Sequence, residues 1–298
     1  MGRSRAQAVV ALLAWCLISR VLAGQVTILY PQVHEPYAKI YQDTLDGIGQ
    51  VYKGAPATLA IAPGEHLDPG AITGSNLLVA LGNDAARALG AAEPQVPVIT
   101  TDNQNVAFKV RQQLAYYPDP DTLLVNLRRY QPEIRTLLMV AETDTDPYQQ
   151  RVRETLAHEG LGLKVCVARS LSESALCYRQ LLDAATARDA VWILHGGKLL
   201  EPALLANILA TAWERQLTVL SSNPDHVRRG ALLSLYPDNI SAGRQLGAMI
   251  TACLAPGGCT HSETSYLRAM GVAFNERTSR HLGLNVSAEA RKSADLLL

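Results

Sequence analysis

Residues 136–194 decide the fold. They read TLLMVA at 136–141, PYQQRVRETLAH at 147–158, LKVCV at 163–167, SESALCYRQLLDAATA at 172–187 and AVWIL at 190–194. The apolar runs are short and continuous, the length of strands buried on both faces, and the stretches between them carry helical period. Gly160 stops the first of those helices. Strand and helix in regular alternation imply a parallel sheet covered by helices on both faces.

Toward the C-terminus the pattern continues, with a helix over 201–215, strands at 217–220 and 230–236, and a helix over 239–254 that carries Gly243 and Gly247 one turn apart. A last strand is read at 271–274 and a helix at 278–282. Toward the N-terminus the same alternation has already run once. Strands are read at 26–30, 58–61, 77–81 and 96–100, with a fifth at 105–110. A helix over 36–52 places Tyr37, Ile40, Tyr41, Leu45, Ile48 and Tyr52 on one face, a second opens at Gly82-Asn83-Asp84, and a third covers 121–130 between Pro118 and Pro132. Two successive runs imply two α/β lobes of Rossmann type. Pro118-Asp-Pro120 and the segment 236–239 are the linker candidates, stiff because of their prolines.

The chain has 298 residues, 27 basic and 27 acidic, with 48 % hydrophobic and 18 % charged residues, which excludes wholesale disorder. Zero net charge without a Lys/Arg run argues against a nucleic-acid surface. Residues 1–23 read as a signal peptide, with Arg3 and Arg5 ahead of an apolar stretch at 8–19 and cleavage expected after Ala23. Cleavage removes Arg3, Arg5, Arg20 and Cys16. Cys166, Cys177, Cys253 and Cys259 remain. An even count in an exported chain permits disulfides. Cys253 and Cys259 flank the turn sequence Leu-Ala-Pro-Gly-Gly and are expected to pair; Cys166 and Cys177 are either a second pair or free buried thiols.

Several segments resemble the substrate-binding proteins of ABC transporters with the type I periplasmic-binding-protein fold, in the branch that includes tryptophan- and tyrosine-type binders. VAFNERTSRHLGL at 272–284 carries the resemblance most specifically, followed by GALLSLYPDNISAGRQLG at 230–247, PEIRTLLMVAE at 132–142 and HEPYAKIYQDTLDGI at 34–48. The chain departs from the family at ligand-facing positions. Gly82-Asn83 replaces Gly-Thr, 101–104 replaces an Asp-Pro, and 104–108 replaces a Gly-rich segment. The resemblance implies two lobes joined by a hinge, divided as 24–125, 126–236 and 237–275 returning to the first lobe, with a helical segment at 276–298.

In open parallel sheets, ligands bind beyond the carboxyl ends of the strands. That rule selects Tyr30, Gln32 and His34, then Asn83 and Asp84, then Thr101, Asp102 and Asn103 in the first run. In the second it selects Glu142 and Thr143, then His195, Gly196 and Gly197, then Ser221, Ser222 and Asn223, then Tyr236 and Asp238. The expected ligand set is Tyr30, Asn83, Asp102, Glu142, His195, Asn223, Tyr236 and Asp238. Asn83 would offer its amide and the N–H groups of a helix start to an anion, and Asp102, Glu142 or Asp238 would take an ammonium. The competing role for Asn83, Asp84 and 236–239 is that of caps and turns. Catalytic signatures are missing: no Gly-x-Ser-x-Gly, no His-Glu-x-x-His, no phosphate loop and no zinc spacing. The expectation is a periplasmic, monomeric, cofactor-free binder of an amino-acid-like solute in an interlobe cleft, partnered by an ABC transporter permease. The alternative is a regulatory or envelope-assembly protein on the same scaffold, docking to a membrane sensor or complex.

Overall fold

The computed structural model describes residues 26–101, 108–194 and 197–298. The signal-peptide reading, Asp102 and His195 lie outside the described residues. The chain divides into two compact units: the part up to Leu114 with Leu246–Thr264, and Ala115–Gln245 with Ser265–Leu298.

The first unit is built from β1 (Val26–Pro31), α1 (Tyr37–Val51), β2 (Ala57–Ile61), β3 (Leu77–Ala80), α2 (Gly82–Ala91), β4 (Val98–Thr101) and the start of β5 (Gln112–Pro118). Its sheet has six strands in the order β11-β5-β4-β3-β1-β2, with β11 at Glu263–Leu267. Strands β1 to β5 run parallel, Ile28 pairing with both Thr58 and Val79, and Val79 with Ile99. Leu29, Leu78, Ala85, Leu89 and Val98 are buried together, as continuous apolar strands under helices require.

The fifth strand is Gln112–Pro118; of the strand expected at 105–110, residues 105–107 lie outside the described residues and 108–110 precede the strand. Its sequence, QQLAYYP, opens on two amides and ends on a proline, which hid it from an apolar-run reading; proline is tolerated at a strand terminus.

The second unit holds α3 (Pro120–Tyr130), β6 (Thr136–Ala141), α4 (Pro147–His158), β7 (Gly162–Val167), α5 (Leu171–Ala184), β8 (Asp189–Ile193), α6 (Pro202–Glu214), β9 (Thr218–Ser221), α7 (Pro224–Arg228) and β10 (Leu233–Pro237). Then come α8 (Asn239–Leu254), β12 (Met270–Phe274), α9 (Glu276–His281), α10 (Ala288–Lys292) and β13 (Leu296–Leu297). The seven strands lie in the order β13-β12-β10-β9-β8-β6-β7. The pairings are parallel except for β12, which runs antiparallel to β10. The core includes Leu127, Tyr130, Leu137, Trp192, Leu233 and Phe274.

This division differs from the boundaries expected at 125/126, 236/237 and 275/276. The whole of α3 belongs to the second unit because Leu123, Leu127 and Tyr130 are buried in its core. The return to the first unit covers only Leu246–Thr264. Strand β12 stays in the second unit because its apolar residues pair along β10, Leu235 opposite Val272 and Leu233 opposite Phe274. The segment 276–298 is likewise part of the second unit and ends in a strand, Leu296 pairing with Ala273.

Helix α8 crosses from the second unit to the first, and Gly247 shows why a small residue stands there. A Cβ on Gly247 would lie 2.9 Å from the carbonyl oxygen of Ile48 and 3.0 Å from Cβ of Val51. Glycine lets α8 lie directly on the backbone of α1. Both cysteine pairs are bridged. Cys166 on edge strand β7 joins Cys177 on α5, with Cα atoms 5.7 Å apart, and Cys253 joins Cys259 with Cα atoms 4.6 Å apart. In the second loop Gly257 has φ +77°, a left-handed conformation that suits glycine. A side chain on Gly258 would strike the carbonyls of Ala252 and Cys253.

Candidate functional site

In the first unit the carboxyl ends of β1 and β2 and the start of α1 line an open cavity. It measures about 260 Å³ and is lined by Tyr30, Gln32, Val33, Tyr41, Gln42 and Ala60. The rings of Tyr30 and Tyr41 stand 6.2 Å apart at 32°. Behind them Gly82 turns the chain from β3 into α2 with φ +80°, and a Cβ there would come within 3.1 Å of the Tyr41 hydroxyl. The Gly82 N–H donates to Oγ1 of Thr101 at 2.8 Å, tying this turn to the end of β4. Burial, and then the carboxylate of Asp84, push the Tyr41 phenol up from its ordinary pKa, so it remains a protonated donor at neutral pH.

Asn83 is exposed in the first turn of α2 and is not the cap; the cap position is Leu81, which offers no side-chain acceptor. Asp84 pairs with Arg87 at 2.9 Å on the same helix.

In the second unit the expected residues stand at the carboxyl ends of β6, β9 and β10, and several are already engaged. Glu142, after β6, meets the ammonium of Lys198 at 2.9 Å, and both side chains are more than half exposed, at 56 % and 63 %. Lys198 lies in the turn Gly197–Leu199 after β8, the strand beside β6. Asn223 caps α7 by accepting from the Asp225 N–H at 2.9 Å. Asp238 accepts from the Ser241 N–H at 3.2 Å and from the Ser241 hydroxyl at 2.9 Å, so it caps α8. Tyr236 lies opposite Gly271 on the antiparallel neighbour, with its ring where a Gly271 side chain would be. This is an aromatic ring covering a strand glycine.

Sequence reasoning passed over Lys198, Tyr41 and His226. The lysine follows two glycines without the rest of a phosphate-loop frame, and the tyrosine reads as a member of a helix face. His226 has no sequence signal; its role follows from packing. It is buried on α7 with Nδ1 2.8 Å from Oγ of Ser221, and that oxygen also accepts the Asn223 N–H at 3.1 Å. With the backbone donating to the serine oxygen, the serine hydroxyl is free to donate to a neutral imidazole. Burial first, and the charge of Arg229 second, lower the His226 pKa from its ordinary value, against a smaller opposing effect of Asp225.

A depressed histidine pKa gives a signed prediction. Above the unfolded value of about 6.5 both states are neutral at this residue and its contribution is fully present. As pH falls below that value the unfolded chain takes the proton first, so stability falls until the folded state is protonated too. Urea midpoints measured between pH 7.5 and pH 5 should therefore drop on acidification, and His226→Gln should flatten that slope. An identical slope in the variant would remove His226 from the account.

Among the described residues no group of three or more His, Cys, Asp or Glu side chains is placed to hold a metal ion. No helix among them is long and apolar enough to cross a membrane.

No protein-family model matches the chain. No curated protein matches it either. Solved structures do. An ABC domain from Streptococcus pneumoniae in complex with L-Trp superposes with a TM-score of 0.57 at 15 % identity, covering 92 % of this chain and 99 % of that one. A ligand-free, open substrate-binding protein with adhesive properties from Clostridium difficile gives 0.60 at 11 % identity, with the same coverage of 92 % and 99 %. A conserved domain protein from Vibrio cholerae gives 0.54 at 15 % identity, again covering 92 % and 99 %. The two sheets, the helices on their faces and these likenesses define the fold as that of the type I periplasmic-binding proteins.

Proposed function

We propose that the chain is an exported solute-binding protein of the ABC-transporter type. It captures a small amino-acid-like solute with residues at the carboxyl ends of its sheets and delivers it to a membrane permease. The Glu142–Lys198 pair carries this reading. An exposed ion pair is worth only about 0–1 kcal/mol. A zwitterion that brings its own ammonium and carboxylate can exchange partners with it at small cost, which a buried pair would resist. Tyr30 and Tyr41 supply flat walls for the body of such a solute, and Asn83 a polar contact beside an uncapped helix start. Asp102 and His195, by their places in the sequence next to β4 and β8, belong to the same proposed set. Ligand contacts favouring a closed state over an open one would couple capture to delivery. The bridged cysteines, Cys166–Cys177 and Cys253–Cys259, suit an oxidising compartment outside the cytoplasm. The proposal assigns the chain no catalytic step.

A second reading, a regulatory or envelope-assembly protein on the same scaffold, draws on one observation. Asn223, Tyr236 and Asp238 are engaged as caps and in cross-strand packing.

A thermal-shift screen of the common amino acids, led by L-tryptophan and L-tyrosine, separates the two. A ligand at about 100 times its dissociation constant should add about 2.7 kcal/mol of stability. Glu142→Gln should weaken binding by about 2 kcal/mol, because the ammonium loses its charged partner. No stabilisation by any amino acid would favour the regulatory reading.

A further inference from the structure

The second unit has a larger concavity at the other end of its sheet. It is a groove of about 630 Å³. Gly230, which leads into the amino end of β10, and Asn275, which follows antiparallel β12, stand in its wall. Asp238 and the rest of the proposed solute set in this unit lie beyond the opposite strand ends. One side of the groove is the face of α6 carrying Ala206, Leu209, Ala210 and Trp213; the other carries Arg228, Arg229, Arg277, Thr278 and Leu298.

The guanidinium charges are unequally satisfied. Arg228 is paired with the Asp225 carboxylate at 2.6 Å. Arg229 reaches a neutral partner, the Pro202 carbonyl, at 3.4 Å. Arg277 stands 5.4 Å from the centre of the Trp213 ring. Among the described residues neither Arg229 nor Arg277 makes an ion pair with a carboxylate.

The apolar side is prepared as well. Ala206 and Ala210, one turn apart, leave open the space that larger side chains would fill. Trp213 is held by a parallel stack on His281, with centroids 3.6 Å apart at 2°, and the His281 Nε2–H donates to the Trp213 carbonyl at 2.8 Å. A wall fixed in this way loses little freedom when something packs against it.

We propose that this groove is a second binding site, separate from the solute set, for a small organic anion with a flat apolar body. The volume falls in the range of small-molecule pockets, and such pockets pair an apolar lining with a few placed charges. The acid group would lie on Arg229 and Arg277 through charge-assisted hydrogen bonds. The body would lie against Trp213 and the alanine face.

The test uses 8-anilinonaphthalene-1-sulfonate as the anion and N-phenyl-1-naphthylamine as its uncharged counterpart, titrated by fluorescence into the purified chain. The anion should bind saturably and quench Trp213, and the uncharged dye should bind about tenfold more weakly or worse. The double variant Arg229→Ala/Arg277→Ala should weaken anion binding by about tenfold or more, the loss expected for charged hydrogen bonds. Ala210→Trp, on an exposed position of α6, should fill the groove and abolish the saturable signal. Thermal melts check that each variant is folded, and if Ala210→Trp fails to fold, the arginine pair decides. Saturable anion binding within about twofold of the native chain in the folded double variant overturns the proposal, and so does equal affinity for the uncharged dye.

Discussion

Phe274→Ala should lower the unfolding free energy by about 3–5 kcal/mol. The side chain is fully buried, and its ring lies 5.0 Å from that of Tyr130, itself 1 % exposed. Three neighbouring strands of one sheet meet at this residue. Its backbone pairs with Leu233 on β10 and with Leu297 on β13, and the Leu298 N–H donates to its carbonyl at 2.9 Å. Truncation leaves a cavity bounded by strands locked in ladders on both sides, so the site cannot collapse to fill it, and the cost should sit high in the usual range. Phe274→Leu keeps most of the volume and should cost about 1.5 kcal/mol or less. Urea unfolding of the two variants measures both. A loss under about 1 kcal/mol for the alanine variant would show that β12 and β13 are looser than their pairing implies.

Much of the second unit was legible because its signals agreed with one another. The strand at Thr136–Ala141 and the helices at Pro147–His158 and Asn239–Leu254 stand where apolar runs, a proline at the helix start and turn residues placed them. Strands β5 and β11 were missed for one shared reason. Gln112 and Gln113 open the first, and Glu263 and Thr264 open the second, so neither shows a run of apolar residues. Their hydrogen bonds to each other make them strands, and pairing between residues so far apart in sequence leaves no local trace.

The sequence marked strand ends more readily than it marked the role of each residue there. The strand-end rule selected Tyr30, Asn83, Glu142, Asn223 and Asp238, and each of them stands just after or at the carboxyl end of a strand. It could not tell a cap from a ligand contact, because Asn and Asp serve both purposes at a strand-to-helix junction. Asn223 and Asp238 turned out to be capping residues, whereas Asn83 leaves the cap position to Leu81. Tyr236 belongs to the expected ligand set. Its neighbour is Gly271, and the antiparallel turn of β12 that brings them together breaks the parallel pattern from which the sequence was read.

Tyr148→Ala should cost about as much as Phe274→Ala, about 3–5 kcal/mol, for a different reason. Tyr148 is on α4 and is 3 % exposed. Its ring stacks on Tyr117 at 4.7 Å and 16°, tilts against Tyr266 at 4.9 Å and meets Trp192 edge-on at 6.3 Å. Its hydroxyl donates to the carbonyl of Pro118 at 2.7 Å. Tyr117 and Pro118 end β5, and Tyr266 lies on β11. These strands belong to the six-stranded sheet, and their ends continue into the second unit from Ala115 and Ser265. The cluster therefore anchors the segments on which the chain passes between units, and the Asp119 N–H reinforces it by donating to the Leu267 carbonyl at 2.8 Å. Burial, and then the neighbouring phenols of Tyr266 and Tyr117, hold the Tyr148 pKa well above its ordinary value, so the donor persists throughout the neutral range. Tyr148→Phe keeps the stack and removes only the hydrogen bond, which should cost about 1–2 kcal/mol. The gap between the two variants measures the aromatic packing directly. If phenylalanine proves as costly as alanine, the anchor is the single hydrogen bond to Pro118, and the crossing strands are held at one point instead of along a stack of rings.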